Sequence, residues 1–384
     1  MERYQHVIHR AKRDARSELS SDEWNKKQFA QIFPELYFSE NIERVSNPSV
    51  EDFERDYKMA GIPAILTDCI DHWPAMKEWT IEKLTTRFRN QSMKVGEDDD
   101  GSSVRLKLKY FAKYMKENDD DCPLNVFDSS FCEKHKLREL LADYLPLKYF
   151  SHDFYQCADS SRTPPNRWFI IGPKRSGTGI HVDPMGTSAW NALISGVKMW
   201  CLFHPKTPDY LVKPKSTEKE KGKHPDEAIT WFTTVYNRVI SNDWPKQYPP
   251  IVGLQLPGEV MFVPSGWWHV VLNIQDTIAV TENFCDESNF ERCVKKAYTS
   301  RPAFLEHWIE KLRIHHPIFY EQNQDIIHRV QKPISYADSS SSTSSDSGDD
   351  GDQELDEENF FQVTHKRKVL PTDEVPEVRR ARVN

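Results

Sequence analysis

Between residues 167 and 284, short segments rich in β-branched and aromatic residues follow one another, separated by glycine- and proline-containing turns. Short strands joined by turns are typical of an antiparallel sandwich or barrel, in which each sheet buries one face against a second layer. The sequence therefore predicts a mainly β core built from these strands: Arg167–Gly172, Gly179–Asp183, Thr187–Ile194, Lys198–Phe203, Glu259–Val263, His269–Ile274 and Thr277–Phe284.

Helical patterns flank this core. Apolar residues recur at i, i+3 and i+7 from Ile81 to Phe88, directly after Thr80, which is a suitable N-cap. The charged residues 1–30 and the amphipathic stretch 129–144 also predict helices, whereas the alternation of Val104 and Leu106 indicates a short strand.

The pattern changes divide the chain into four regions. We expect residues 1–140 to form a helical and mixed N-terminal region that packs on the core, and residues 141–288 to form the β core. Residues 289–334 regain helical spacing, and residues 335–384 form a tail. Lysine-rich residues 213–227 interrupt the strands as an exposed insertion.

The tail differs sharply in composition from the rest. Residues 338–358 hold nine Asp or Glu, seven Ser and no Lys or Arg, a composition that cannot bury enough apolar surface to offset chain entropy. We therefore expect disorder there. Two basic clusters follow at residues 365–368 and 379–382, and in such a tail they suggest nuclear import and location in the nucleus.

Several protein classes can be excluded. No apolar run approaches the roughly 18–20 residues that a membrane-spanning helix needs, so a transmembrane receptor is excluded. The N-terminus lacks the apolar stretch of a signal peptide, so we expect an intracellular protein. The seven cysteines are odd in number and include no C-x-x-C pair, which argues against a disulfide framework and a four-ligand zinc site.

One short motif indicates a metal site. His181 and Asp183 are two residues apart in a predicted strand, so their side chains leave the same face. His269 opens a later strand after a tight turn, and two histidines with one carboxylate form a triad that leaves open positions on Fe(II). A second match, His224 and Asp226, lies in the lysine-rich insertion without a strand pattern and is set aside.

Polar residues follow the same strands. Asn191 points opposite Trp190, Asn273 points to the same side as His269, and Lys198 and Thr281 begin or interrupt apolar strands. Such groups are costly inside an apolar barrel unless an anion pairs with them. A small dicarboxylate would satisfy them, with Lys198 and Thr281 at one carboxylate and Asn191 and Asn273 nearer the metal.

Three segments carry a family resemblance: residues 177–193, residues 198–203 and residues 262–273. They closely resemble the JmjC dioxygenases of the bifunctional arginine demethylase and lysyl-hydroxylase type, a family earlier described as a phosphatidylserine receptor. The resemblance extends over most of residues 1–335 and implies a double-stranded β-helix, the cupin-type jelly roll, with surrounding helices.

The resemblance also assigns roles to residues. It implies iron held by His181, Asp183 and His269, with O₂ as co-substrate. It implies 2-oxoglutarate held by Asn191, Lys198 and Thr281, with Asn273 nearby and Thr178 facing cofactor or substrate. One departure is Asn125, where the family is expected to have a tyrosine; an amide reaches less far and has no ring to pack, so 2-oxoglutarate affinity is in question.

The implied reaction couples decarboxylation of 2-oxoglutarate to hydroxylation of an unactivated C–H bond. The implied substrates are lysine side chains of splicing regulators and, by the same chemistry, methylarginine in histone tails, which would make the protein a chromatin regulator. Two alternatives stay open: a phosphatidylserine-recognising receptor or adaptor in apoptotic cell clearance, and a JmjC scaffold without turnover. RNA contact through the basic segments and a homodimer through the C-terminal helices also stay open.

Overall fold

The computed structural model describes residues 2–158, 163–215, 227–331 and 379–380. Fifteen strands lie in these ranges, and most are between four and eight residues long. The strands are β1 Tyr37–Phe38, β2 Glu43–Ser46, β3 Ala64–Thr67, β4 Ser92–Glu97, β5 Ser103–Lys107, β6 Val126–Asp128, β7 Arg167–Gly172, β8 Gly177–His181, β9 Ser188–Ser195, β10 Lys198–Phe203, β11 Ile251–Gln255, β12 Val260–Val263, β13 Trp268–Asn273, β14 Thr277–Phe284 and β15 Arg379–Arg380.

Helices precede and follow the main run of strands, and one lies within it. They are α1 Glu2–Ala15, α2 Val50–Phe53, α3 Ala75–Glu78, α4 Ile81–Phe88, α5 Leu108–Glu117, α6 Asp209–Val212, α7 Ala228–Val239, α8 Phe290–Ser300, α9 Pro302–His315, α10 Pro317–Gln322 and α11 Gln324–Gln331. In the described part of the chain, no helix has both the length and the apolar character needed to cross a lipid bilayer.

Two sheets form the core. The larger has seven strands in the order β2-β3-β12-β9-β14-β7-β6, and the smaller has four in the order β11-β10-β13-β8. All neighbours are antiparallel except β2 and β3. Strands β7 to β10 alternate between the two sheets, and so do strands β11 to β14. The two layers therefore close as a jelly roll, which confirms the predicted double-stranded β-helix with flanking helices.

Alternate residues of each strand point into the jelly roll or away from it. The outer face of the larger sheet carries Phe169, Trp190 and Phe262, which join one large apolar cluster with the N-terminal helices. The outer face of the smaller sheet packs on α7 through Met199 and Leu272. Both outer faces therefore contribute to large apolar clusters. The space between the sheets is the part of the core where polar side chains lie.

Seven predicted strands are confirmed, three of them with unchanged bounds: Arg167–Gly172, Lys198–Phe203 and Thr277–Phe284. Sequence reasoning missed β11 and helix α7. It also missed that the N-terminal region supplies β2, β3 and β6 to the larger sheet. The proposed boundary between residues 140 and 141 stays a prediction, but strands from both sides of it share one sheet.

Two predicted helices are wrong in extent. The helix expected over residues 1–30 ends at Ala15, because Asp121 accepts hydrogen bonds from the backbone amides of Lys27 and Phe29 and holds residues 16–31 as turns. The helix expected over residues 129–144 is reduced to one 3₁₀ segment, Leu137–Ala142. Before this segment, the buried Asp128 carboxylate accepts a hydrogen bond from the Ser130 backbone amide. This side-chain bond competes with the backbone hydrogen bonds that a helix would need.

The remaining helix predictions hold. Thr80 accepts a hydrogen bond from the Lys83 amide at the start of α4, as an N-cap does, and α8 begins at Phe290. The centre of the lysine-rich insertion, residues 216–226, lies outside the described residues. So does the tail, apart from the backbone of β15, which pairs with β1, so its predicted disorder stays a prediction.

Candidate metal centre and cofactor pocket

The three predicted metal ligands meet at one end of the jelly roll. His181 ends β8 and pairs with His269 on β13, so the two rings lie side by side with centroids 4.1 Å apart. Asp183 follows two residues later, and its carboxylate oxygens lie 3.9 Å from each histidine Nε2. One ligand atom from each residue fits within 4.8 Å of the others, which is the separation expected around one metal ion.

Backbone carbonyls orient both imidazoles. His181 Nδ1 lies 2.8 Å from the Gly179 carbonyl oxygen, and His269 Nδ1 lies 3.1 Å from that of Trp267. A carbonyl oxygen can only accept, so each Nδ1 carries the proton and donates it. Each Nε2 is thereby left with a free lone pair directed at the site, the arrangement in which histidine binds metals.

The site also suits a divalent cation electrostatically. Burial and the neighbouring His181 lower the pKa of His269 to about 4, so its ring is neutral at physiological pH and available as a ligand. Asp183 Oδ2 is buried and accepts no hydrogen bond from the described residues. A buried carboxylate oxygen without a donor is costly unless a cation contacts it, so the donor set fits Fe(II).

Thr178 reaches the same face through a β-bulge. It pairs with Val271, whereas His181 pairs with His269, so a step of three residues along β8 lies opposite a step of two residues along β13. The extra residue reverses the alternation, and Thr178 shares the inner face with His181 although it lies three positions away. Gly177 allows the close strand approach, since a Cβ there would lie 2.0 Å from the Val271 carbonyl oxygen.

Lys198 lies inside the jelly roll, not in water. It is 4% exposed, and Nζ donates a 3.0 Å hydrogen bond to Asn273 Oδ1 on the neighbouring strand. Asn273 in turn donates to Ser176 Oγ at 3.0 Å. Burial lowers the pKa of Lys198 to about 8, and no carboxylate of the described residues contacts it. A buried ammonium without an anionic partner fits a site for a carboxylate ligand.

Asn191 and Thr281 form a second pair on the larger sheet. They lie opposite each other on β9 and β14, and both are buried. The Thr281 hydroxyl donates to the Trp190 carbonyl oxygen at 2.7 Å, while Asn191 Oδ1 is buried without a hydrogen-bond donor. All predicted cofactor-binding residues therefore face the interior.

The grouping of these residues differs from the expected one. Asn273 lies beside Lys198, four residues along β13 from His269, which corresponds to roughly 13 Å of strand. It was expected nearer the metal. Gly172 leaves room for its amide, because a Cβ at Gly172 would lie 2.1 Å from Asn273 Nδ2.

Sequence reasoning missed several inner residues. Asn283 lies two residues past Thr281 on β14 and donates to Thr187 Oγ1 at 2.8 Å, and the same alternation that found Thr281 could have found it. Gln255 bonds Trp200 Nε1 and the Asn191 carbonyl oxygen and so links the sheets, but no local signal marks it.

A cavity of about 770 Å³ opens beside the metal ligands, and we call it the groove. Its floor includes Phe127 and Trp168, whose rings stack with centroids 5.6 Å apart. Pro184 and Met185, which follow Asp183 directly, also line it. Asn125 also lines it, so the residue that departs from the family pattern faces this space. The groove therefore lies next to the metal centre in sequence and in space, through the turn that follows Asp183.

Comparison with known proteins agrees with this geometry. Residues 168–284 match the family described as "JmjC domain, hydroxylase". The chain is 49% identical over 320 residues to the bifunctional arginine demethylase and lysyl-hydroxylase psr-1 of Caenorhabditis elegans, covering 83% of this chain and 79% of that protein. This chain belongs to the JmjC family of bifunctional arginine demethylases and lysyl-hydroxylases.

More distant JmjC proteins are also similar. The arginine-specific demethylase JMJ22 of Arabidopsis thaliana is 37% identical over 67% of this chain and 48% of its own length. The 2-oxoglutarate and iron-dependent oxygenase JMJD4 of Gallus gallus is 25% identical over 65% of this chain and 60% of its own length. This JmjC protein is therefore an iron- and 2-oxoglutarate-dependent oxygenase, and the His181, Asp183 and His269 cluster is compatible with its iron.

Proposed function

We propose that this JmjC protein hydroxylates lysine side chains in other proteins, and that it also removes methyl groups from methylarginine. One observation carries the proposal: the cluster of His181, Asp183 and His269 lies next to a groove, because Pro184, the residue after Asp183, lines that groove. A side chain of a polypeptide lying in the groove can reach the metal while its backbone stays outside. The names of the relatives at 49% and 50% identity support both activities.

Bound iron and 2-oxoglutarate supply the oxidising power for insertion of oxygen into an unactivated C–H bond. The protein contributes geometry. His181 and His269, whose Nδ1 atoms bond backbone carbonyl oxygens, would hold the metal through Nε2, and Asp183 would hold it through its buried carboxylate oxygen. Lys198 offers its ammonium to a carboxylate of 2-oxoglutarate, and the apolar side chains Trp200 and Met261 keep water away from the metal side.

The two reactions need no separate machinery. Hydroxylation of a lysine carbon gives a stable alcohol, whereas hydroxylation of an N-methyl group gives a hemiaminal that loses formaldehyde. Neither product requires a general acid or base from the protein. The choice between them depends on which carbon the groove presents to the metal, and therefore on the bound peptide.

The test compares the full chain with two variants on lysine and methylarginine peptides supplied with Fe(II) and 2-oxoglutarate. Peptide mass spectrometry would show a gain of one oxygen on lysine, or loss of a methyl group from arginine, together with succinate formation. His181→Ala should abolish all three, whereas His152→Ala, at an exposed position away from the site, should retain them. Succinate without modified peptide would argue for another substrate, and no succinate would favour a scaffold.

The proposed partners and the proposed location rest on the sequence. We propose splicing regulators and histone tails as substrates, hence a role in chromatin regulation, and the nucleus as the location, supported by the basic clusters near residues 365–368 and 379–382. Fluorescence microscopy of the full chain, with the two clusters replaced by glutamine, would test the location. RNA contact, phosphatidylserine binding with apoptotic cell clearance, and a homodimer through the C-terminal helices stay predictions.

A further inference from the structure

We infer that the groove selects protein substrates that carry an acidic residue close to the modified side chain, and that Lys296 and Arg301 read this residue. The inference rests on the proposed function, because it concerns the polypeptide that brings a side chain to the metal. It adds a substrate property that the positive charge of a target lysine alone would not suggest.

The walls of the groove come from parts of the chain that are far apart in sequence. One wall is the hairpin of β4 and β5, which contributes Lys94 and Glu97. The opposite wall is the C-terminal end of α8 and its junction with α9, which contributes Lys296, Ser300 and Arg301. Between the walls lie the stacked aromatic rings of the floor and the turn that follows Asp183.

Charge is distributed unevenly over these walls. Lys94 is ion-paired with Glu97 on its own hairpin, so that wall is close to neutral. Lys296 and Arg301 are exposed, and neither forms an ion pair with any residue in the described ranges. The neighbouring Lys295 differs, because it pairs with Glu291 at 3.1 Å and does not line the groove. The groove therefore has one basic wall with two unpaired cations.

This basic wall is fixed in position relative to the metal ligands. The Cys293 thiol donates to the Gly186 carbonyl oxygen at 3.2 Å, and the Ser300 hydroxyl donates to Met185 Sδ at 3.3 Å. Both contacts join α8 to the turn Pro184–Gly186, which starts at Asp183. Met185 has a positive φ of 60°, a conformation that costs free energy and that the packing on α8 compensates. The helix that carries Lys296 therefore packs directly on the turn that follows the metal ligand Asp183.

An acidic side chain is the occupant that this wall favours. A peptide with its target side chain at the metal passes α8 with its flanking residues, and a carboxylate there would pair with Lys296 or Arg301. Exposed pairs of this kind contribute about 0.2–1 kcal/mol each, so we expect kcat/KM to rise roughly 1.4- to 5-fold per pair. The preference should weaken at high salt, because exposed charges are screened.

The test uses two series of fluorescently labelled lysine peptides that differ only in Glu or Gln at each of the three positions on either side of the lysine. Binding to the full chain is measured by fluorescence anisotropy with Mn²⁺ and without 2-oxoglutarate, and turnover by peptide mass spectrometry with Fe(II) and 2-oxoglutarate. The wild type should prefer Glu several-fold at positions on one side. The double variant Lys296→Gln, Arg301→Gln should lose the preference, and Lys295→Gln should keep it.

Each outcome decides the inference. The inference would be overturned if the wild type bound and turned over the Glu and Gln peptides equally. An unchanged preference for Glu in the double variant would also overturn it. Anisotropy that discriminates without any oxidation of lysine would support the inference while contradicting the proposed lysine hydroxylation. As a control, succinate formation is measured for every variant in the absence of peptide, which shows whether its metal centre is intact.

Discussion

Thr178 and His181 face the same interior although they lie three positions apart on β8, because a β-bulge opposite His269 and Val271 shifts the alternation by one residue. A metal ligand and a hydroxyl are thereby brought to one face of a five-residue strand. The bulge thus directs the Thr178 side chain to the face that carries the metal ligand, where its hydroxyl is available to a cofactor or substrate.

We expect Thr178→Val to weaken binding of 2-oxoglutarate or peptide while leaving the metal site intact. Valine keeps the shape and removes the hydroxyl, so one hydrogen bond worth about 0.5–1.5 kcal/mol is lost, which corresponds to roughly a 2- to 10-fold rise in KM. Steady-state kinetics and Mn²⁺ calorimetry would measure both effects. An unchanged KM for both ligands would show that Thr178 serves only the turn.

His269→Ala should abolish metal binding. The substitution removes one of three ligands, and the Asp183 and His181 pair that remains has only two donors. We expect Mn²⁺ affinity to fall roughly 100-fold or more, and the increase in melting temperature on adding Mn²⁺ to vanish. His152→Ala is the matched control at an exposed position. Metal-dependent stabilisation that persists in His269→Ala would place the site elsewhere.

Lys198→Met should stabilise the ligand-free protein and destroy its affinity for 2-oxoglutarate. Burial lowers the pKa of Lys198 from 10.5 to about 8, so the charged form costs stability at pH 7, and this cost disappears as the pH rises past both values. We expect a gain of about 1–3 kcal/mol at pH 7, since the lost hydrogen bond to Asn273 offsets part of the relieved charge cost. Near pH 10 the gain should be smaller, because most of that cost has already disappeared.

Urea unfolding at the two pH values measures this difference, and calorimetry measures 2-oxoglutarate binding. Lys295→Met, at an exposed position on α8, should change neither. A destabilised Lys198→Met protein that still binds 2-oxoglutarate would contradict the assigned role, because Lys198 would then serve the fold and not the cofactor.

Asn125→Tyr should lower the KM for 2-oxoglutarate. Asn125 lines the groove, two residues before Phe127, whose ring stacks on Trp168. A tyrosine there has the space of the groove to enter, and its hydroxyl reaches further inward than the amide does. We expect a several-fold lower KM with unchanged Mn²⁺ affinity. Asn125→Gln, which extends the amide without adding a ring, separates the effect of reach from that of ring packing; an unchanged KM in both would show that position 125 does not contact the cofactor.

The β core could be predicted because its strands carry their own pattern. In β9 the inner Asn191 alternates with the outer Trp190 and Ala192, and this period of two marks a strand before any partner is known. The N-terminal region lacks such a signal. There Asp121 and Asp128 fix turns through hydrogen bonds to residues distant in sequence, and these contacts override the helical propensity of residues 16–31 and 129–136.

The site shows the same division. His181, Asp183 and His269 could be predicted because residue type, spacing and strand position agree. The face of Thr178 could not, since it depends on a bulge that only strand pairing reveals. The basic wall of the groove is made by α8 packing on the turn after Asp183, a contact between segments about 100 residues apart, and no local pattern encodes it.

Asp153→Asn should change how stability depends on pH. Asp153 Oδ1 accepts hydrogen bonds from the Tyr155 and Cys285 amides, both at 3.0 Å, and asparagine can keep them. Burial, with smaller contributions from Glu282 and Asp286, raises the pKa of Asp153 from 3.8 to about 6. The folded state therefore binds a proton that the unfolded state releases, so this group favours folding below pH 4 and its contribution is lost as the pH rises to 6.

We expect Asp153→Asn to be more stable than the wild type by about 1–3 kcal/mol at pH 7 and nearly equal to it at pH 4, measured by urea unfolding. Asp325→Asn, at an exposed position on α11, should leave the curve unchanged, and parallel curves for Asp153→Asn and the wild type would show that the carboxyl is ionised throughout.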